Sequence, residues 1–127
     1  MAVIGIGVDL TRIERFQRFL DRERHAVIER IFTAQEQKYA LSKRHPAPHL
    51  AARFAAKEAF LKALGTGLRL GIRWQDIGVI NDELGCPSLQ LSGRAAELLE
   101  DRGGTRTFLS YSHDGLYAVA TVVLEGR

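Results

Sequence analysis

Three cations and one carboxylate crowd a single stretch of this chain. Arg53-Phe-Ala-Ala-Lys57-Glu58-Ala-Phe-Leu-Lys62-Ala-Leu-Gly65-Thr66-Gly67 sets Arg53, Lys57, Glu58 and Lys62 directly ahead of a Gly-Thr-Gly turn. That set suits an anionic ligand held together with a divalent cation. The plainer alternative is an i,i+4 pair between Glu58 and Lys62, worth a few tenths of a kcal/mol, with the long stems reaching outward. Two further residues could join the chemistry. Asp9 is a lone carboxylate in the apolar run Val3–Leu10, where it could also end a strand and cap the next helix. His113 closes a strand beside Asp114, with Ser110 and Ser112 nearby, as a candidate for phosphate binding or proton transfer.

The elements that must position these groups can be read from the pattern. The Arg53 stretch is rich in helix formers and free of internal Pro and Gly, and Gly65 and Gly67 supply its stop. Leu50, Phe54, Phe60, Leu61 and Leu64 form one broad stripe with Arg53 and Lys57 inside it, so the helix has no ordinary solvated side. Val3–Leu10 predicts a strand whose backbone is closely approached at Gly5 and Gly7. Leu10 stands where a dinucleotide fingerprint needs its third glycine, which excludes that motif. Ile13–Arg22 is an amphipathic helix with Arg15, Arg18 and Arg22 on one ridge, either a solvated face or a docking surface for an acidic protein. Val27–Phe32 is a short apolar helix or turn, and Thr33-Ala-Gln-Glu36 has capping-box spacing for a helix to about Lys43.

Pro46 and Pro48 punctuate the link to the central helix, with His45 and His49 expected at the surface. Short strands are predicted over 78–81 and 88–91, then a helix over Gly93–Arg102 capped by Ser92. Thr105–His113 and Leu116–Leu124 form a hairpin turning at Asp114-Gly115. The expected fold is α+β, a small mainly antiparallel sheet packed around the long central helix. Either short strand could join that sheet or form a separate ribbon.

The totals bound the function. At 127 residues, 46% hydrophobic and 26% charged, the chain suits one soluble domain spanning 1–127. A net charge of +3 permits an acidic or phosphorylated partner. The single Cys86 rules out an internal disulfide and fits a reducing compartment. No export signal or membrane-length apolar run occurs, so the expected location is cytoplasmic. No recognised nucleic-acid motif appears, and the Arg ridge lacks interleaved exposed aromatics.

Taken in order, Gly5-Ile-Gly7-Val-Asp9, Phe32-Thr33-x-x-Glu36, the Arg53–Gly67 stretch and Ser110-x-Ser112-His113 resemble the holo-[acyl-carrier-protein] synthases, the short class of the 4′-phosphopantetheinyl transferase superfamily. Tyr111 departs from the β-branched residue usual in the family, without touching the matched Ser and His positions. The resemblance implies transfer of the phosphopantetheine arm of coenzyme A to a serine of apo acyl carrier protein, releasing adenosine 3′,5′-bisphosphate, in fatty acid and lipid synthesis. It implies a homotrimer with the active site between adjacent subunits. Asp9 and Glu58 match magnesium-binding carboxylates, and Lys62 with Gly65, Thr66 and Gly67 matches positions near the coenzyme A phosphates. His113 matches the closing histidine, and Arg53 and His113 are grouped with the coenzyme-binding set.

Residue chemistry agrees with these matches, since Mg²⁺ takes one or two carboxylates plus substrate phosphate and water, and a glycine turn admits phosphate to backbone amides. Glu58, Lys62 and His113 are the catalytic candidates. The base that deprotonates the carrier serine could be Glu58, a metal-bound water, or His113 with Asp114, and the reading favours Glu58. Arg15, Arg18 and Arg22 are the expected grip on the acidic carrier. A coenzyme A-binding module without catalysis is the alternative of another class.

Overall fold

The computed structural model describes residues 1–127. Its elements are β1 (Ala2–Arg12), α1 (Ile13–Asp21), α2 (His25–Ile31), α3 (Ala34–Leu41), α4 (Pro46–Leu64), β2 (Ile77–Asn81), β3 (Pro87–Leu91), α5 (Gly93–Asp101), β4 (Gly104–Asp114) and β5 (Tyr117–Gly126), with a 3₁₀ turn at Trp74–Asp76. β1, β5 and β4 form one antiparallel sheet in that order, and β2 and β3 form a separate two-stranded ribbon. The α+β expectation holds, and the two short strands take the ribbon alternative.

Local chemistry explains most boundaries. Thr33 Oγ1 accepts from the Glu36 amide at 3.1 Å, and Glu36 Oε1 accepts from the Thr33 amide at 2.8 Å, closing the capping box that starts α3. Gly65 ends α4 at φ +83°, its amide reaching the Leu61 and Lys62 carbonyls. Only glycine takes that left-handed conformation without strain.

Three sequence expectations shift. Pro46 and Pro48 lie inside the first turn of α4 instead of a linker, Pro46 occupying the first helical position where its missing N–H costs nothing. Ser92 makes no side-chain cap; its amide donates to the Asp76 carbonyl at 2.9 Å. The hairpin turns one residue later than read, because Asp114 still pairs with Tyr117 and the loop is Gly115-Leu116.

Helix α4 is the core of the molecule. Fourteen of its 19 residues are buried, so it has no solvated face. One side packs on the sheet through Ala120, Val122 and Leu124. Another meets Phe16 and Phe32, whose rings stand 5.7 Å apart, with Phe54 5.4 Å from Phe16.

Strand alternation puts Gly5, Gly7, Asp9 and Thr11 opposite Leu124, Val122, Ala120 and Ala118, on the face turned to α4. The close approach read from the glycines is present: a β-carbon on Gly7 would overlap the Ala59 carbonyl oxygen, and one on Gly5 the Ala63 carbonyl oxygen. The other face of the sheet is open and apolar, with Val3, Ile6, Val8 and Leu10 all more than half exposed beside Phe108 and Val119.

The cations of α4 divide. Lys57 is fully buried and spends its three protons on Glu36 Oε1 at 2.8 Å, the Ile77 carbonyl at 2.6 Å and the Trp74 carbonyl at 3.2 Å. Glu36 Oε2 accepts from the Val79 amide at 3.0 Å, so the pair is saturated. Lys57 is therefore corrected from a ligand-facing cation to a strut joining α4, α3 and β2.

Because the Gly7 contact leaves no room for a methyl group, Gly7→Ala should cost about 1–3 kcal/mol of stability in urea unfolding. An unchanged midpoint would show that β1 lifts from α4 freely.

Candidate active site

The β1–α4 contact fixes where Asp9 lies. Two residues beyond Gly7 on the same strand face, its carboxylate meets the edge of α4 where Glu58 and Lys62 sit one turn apart. Lys62 Nζ donates to Asp9 Oδ1 at 3.0 Å and to the Val8 carbonyl at 3.1 Å. Thr11 Oγ1 donates to Asp9 Oδ2 at 2.7 Å. Both oxygens of Asp9 are thus engaged, and its side chain is only 14% exposed.

Glu58 is left without a hydrogen bond or ion pair. The plain i,i+4 pair with Lys62 does not form, because the ammonium turns to the strand instead. Partial burial pushes the Glu58 carboxyl above its ordinary range, and the neighbouring Asp9 charge pushes it further, against the weaker pull of Lys62 and Arg15. Two carboxylates from distant parts of the sequence therefore converge on one spot.

The turn after α4 keeps its backbone open. Gly65 and Gly67 both take positive φ, no atom lies near a β-carbon position on Gly67, and Thr66 Oγ1 donates to the Gly67 carbonyl at 2.8 Å. Arg102 braces this end of the helix through a hydrogen bond to the Leu64 carbonyl.

A second group forms on the far edge of the sheet. His113 faces α4 on β4, two strands from Asp9, which alone places it roughly 10 Å away. Its ring meets His49 edge to face at 6.0 Å, and His49 meets Tyr39 in the same way at 6.0 Å. His49 is half-buried, which corrects its surface assignment. Its imidazole is pushed below its ordinary pKa by burial, then by the positive field of Arg53 and the neighbouring His113 and Lys43. Asp114 makes no hydrogen bond to His113, so the two do not form a base pair of the kind one sequence alternative required.

Arg53 also departs from its expected setting. It is 1% exposed, its guanidinium 4.2 Å from the Tyr39 ring centre and bonded to Asn81 Oδ1 and the His49 carbonyl. Its Nε is buried without a partner. In the single chain it offers no open donor to a phosphate; it supports the wall that carries His49 and His113.

The arginine ridge of α1 is not uniform. Arg15 lies over the Phe54 ring at 5.1 Å and reaches toward Glu58, whereas Arg18 pairs with Glu14 at 2.8 Å. Arg15, Arg18, Phe19, Arg22 and Arg24 line a shallow depression of about 170 Å³, and Arg15 is the member whose charge reaches Glu58. Arg24 was not anticipated, since it lies beyond the helix whose periodicity revealed the others. Thr11 and Arg102 were also missed. Thr11 had a usable signal, being two residues from Asp9 on one strand face.

The raised Glu58 pKa has a signed consequence. The folded state holds that proton more tightly than the unfolded one, so stability falls as pH rises above the ordinary carboxylate range. Glu58→Gln should therefore raise Tm at pH 7, and the gain should vanish below about pH 4. A lower Tm for the variant at pH 7 would contradict this account.

Known proteins share this sequence and fold. The chain is 62% identical over 123 residues to the holo-[acyl-carrier-protein] synthase of Syntrophotalea carbinolica, covering 97% of this chain and 96% of that one. The crystal structure of holo-[acyl-carrier-protein] synthase from Neisseria meningitidis superposes with a TM-score of 0.86 at 38% identity, over 98% of this chain and 99% of that one. A holo-(acyl-carrier-protein) synthase from Bacillus anthracis, solved in complex with CoA (3′,5′-ADP), gives 0.80 at 36% identity over 98% of both chains. The family model of the 4′-phosphopantetheinyl transferase superfamily matches residues 5–122, and the chain belongs to that superfamily.

Proposed function

We propose that this protein is a holo-[acyl-carrier-protein] synthase, moving 4′-phosphopantetheine from coenzyme A to a serine of apo acyl carrier protein. The observation that carries the reading is the convergence of Asp9, Glu58 and Lys62 beside an open glycine turn. The serine oxygen attacks the phosphorus that bears the pantetheine arm. The bond from that phosphorus to the adenosine 3′,5′-bisphosphate oxygen breaks as the new ester forms. Glu58 takes the serine proton, directly or through water.

The residues also fit a magnesium ion. Asp9 and Glu58 lie close enough for their charges to interact, and two carboxylates suit an ion that leaves the rest of its shell to water and substrate oxygens. Asp9 and Glu58 would hold it, and it would neutralise charge on the pyrophosphate. Lys62 and the Gly65-Thr66-Gly67 amides would hold the same phosphates. His113 contributes to coenzyme binding from the second group, and Arg53 acts there only through the wall it supports.

Two surfaces complete the reading. Arg15, Arg18 and Arg22, with Arg24, offer a positive rim for an acidic carrier. The open apolar sheet face supports self-association as a homotrimer. The separation of His113 from Asp9 within one chain supports a site shared between subunits, where the second group of one chain faces the carboxylates of another. The single domain 1–127 would act in the cytoplasm, consistent with one unpaired cysteine and no helix long and apolar enough to cross a membrane.

The test incubates the protein with apo carrier, coenzyme A and Mg²⁺ and reads the carrier by mass spectrometry. A phosphopantetheine mass gain is expected, with Asp9→Asn slower on the order of 100-fold. Coenzyme A binding without a mass gain on any acyl carrier would instead establish a binding module. Separately, the double variant Arg18→Glu/Arg22→Glu should raise the carrier KM about tenfold while leaving coenzyme A affinity unchanged. An unchanged KM would remove the docking role.

A further inference from the structure

Lys62 makes an unexpected choice of partner. Glu58 lies one helical turn away and has no partner, yet the ammonium crosses to the strand and binds Asp9 Oδ1 and the Val8 carbonyl. Thr11 donates to the other Asp9 oxygen. Each oxygen of the strand carboxylate thus carries one hydrogen bond, and the charge paired with it is a cation that belongs to the protein. That cation is loosely held, since the Lys62 side chain is 54% exposed, and exposed pairs of this kind are weak.

We propose that Lys62 is a resident competitor for the divalent cation at Asp9, and that its displacement hands the ammonium to the substrate phosphates. The proposal rests on the Mg²⁺ and coenzyme A reading above. A divalent cation ligated by Asp9 would repel an ammonium held 3.0 Å from the same carboxylate, so metal and Lys62 compete for its charge. A diphosphate arriving at the site supplies the ammonium with a new partner. By reciprocity, whatever draws Lys62 from Asp9 strengthens metal binding, and metal binding frees Lys62. Lys62 is thus given a coupling role that a fixed phosphate-binding lysine would not have.

The test titrates Mn²⁺ into the coenzyme-free protein and follows loss of the free-ion paramagnetic resonance signal. Lys62→Met should bind Mn²⁺ about fivefold more tightly than wild type. Arg15→Met removes an equal charge near Glu58 without vacating Asp9 and should produce less than half that change. An affinity for Lys62→Met equal to or weaker than wild type overturns the competitor role while leaving the metal reading intact. Equal tightening by Arg15→Met also overturns it, reducing the effect to a general field. No Mn²⁺ binding by any of the three proteins would sink both the proposal and the metal reading. Circular dichroism of each variant checks that the fold is retained.

Discussion

Bare backbone against bare backbone is the constraint on which this molecule depends. Gly5 and Gly7 let β1 lie so close to α4 that the helix carbonyls of Ala59 and Ala63 fill the space where side chains would stand. The alanines do the same from the helix side. This contact sets the depth at which the strand meets the helix, and Asp9 follows two residues later. The chemistry at Asp9, Glu58 and Lys62 is therefore a result of packing, since no direct hydrogen bond joins the two carboxylates. One larger residue in the seam would part them.

The opposite side of α4 is held by polar means. Lys57 and Glu36 form a buried ion pair in which every proton and lone-pair direction used has a partner on α3, β2 or the 3₁₀ turn. Such a pair adds little net stability over apolar residues of equal size, but losing one member leaves an uncompensated charge. Burial lowers the Lys57 ammonium pKa while Glu36 opposes that shift. The result is a helix pinned in rotation as well as depth, with Glu58 and Lys62 kept at its only open edge.

Much of this was legible in the sequence, and the reasons are specific. Gly5 and Gly7 announced a close approach because nothing else explains two glycines in an apolar strand. Thr33 and Glu36 announced a cap by their spacing alone. Arg53 and Lys57 announced only that they lay within an apolar stripe. Their partners are Asn81, the His49 carbonyl, Glu36 and the Trp74 and Ile77 carbonyls, and most of these lie in segments whose placement depends on tertiary packing. For the same reason His49 read as a surface residue, and the sequence offered Lys62 a plain pairing with Glu58 but not its contact with Asp9. Periodicity gives the face of a helix, not the strand that arrives against it.

The order of strands has a consequence for biosynthesis. β1 is made well before β5, its sole neighbour in the sheet, and Arg12 pairs with Tyr117 across 105 positions. On the ribosome β1 therefore waits, with its backbone unpaired, until β5 has emerged. Non-local pairing of this kind makes folding slow and leaves an apolar segment exposed to capture by chaperones during translation. Asp9 is polymerised long before Ala120, its partner across the ladder, and reaches its working position only after that strand has arrived.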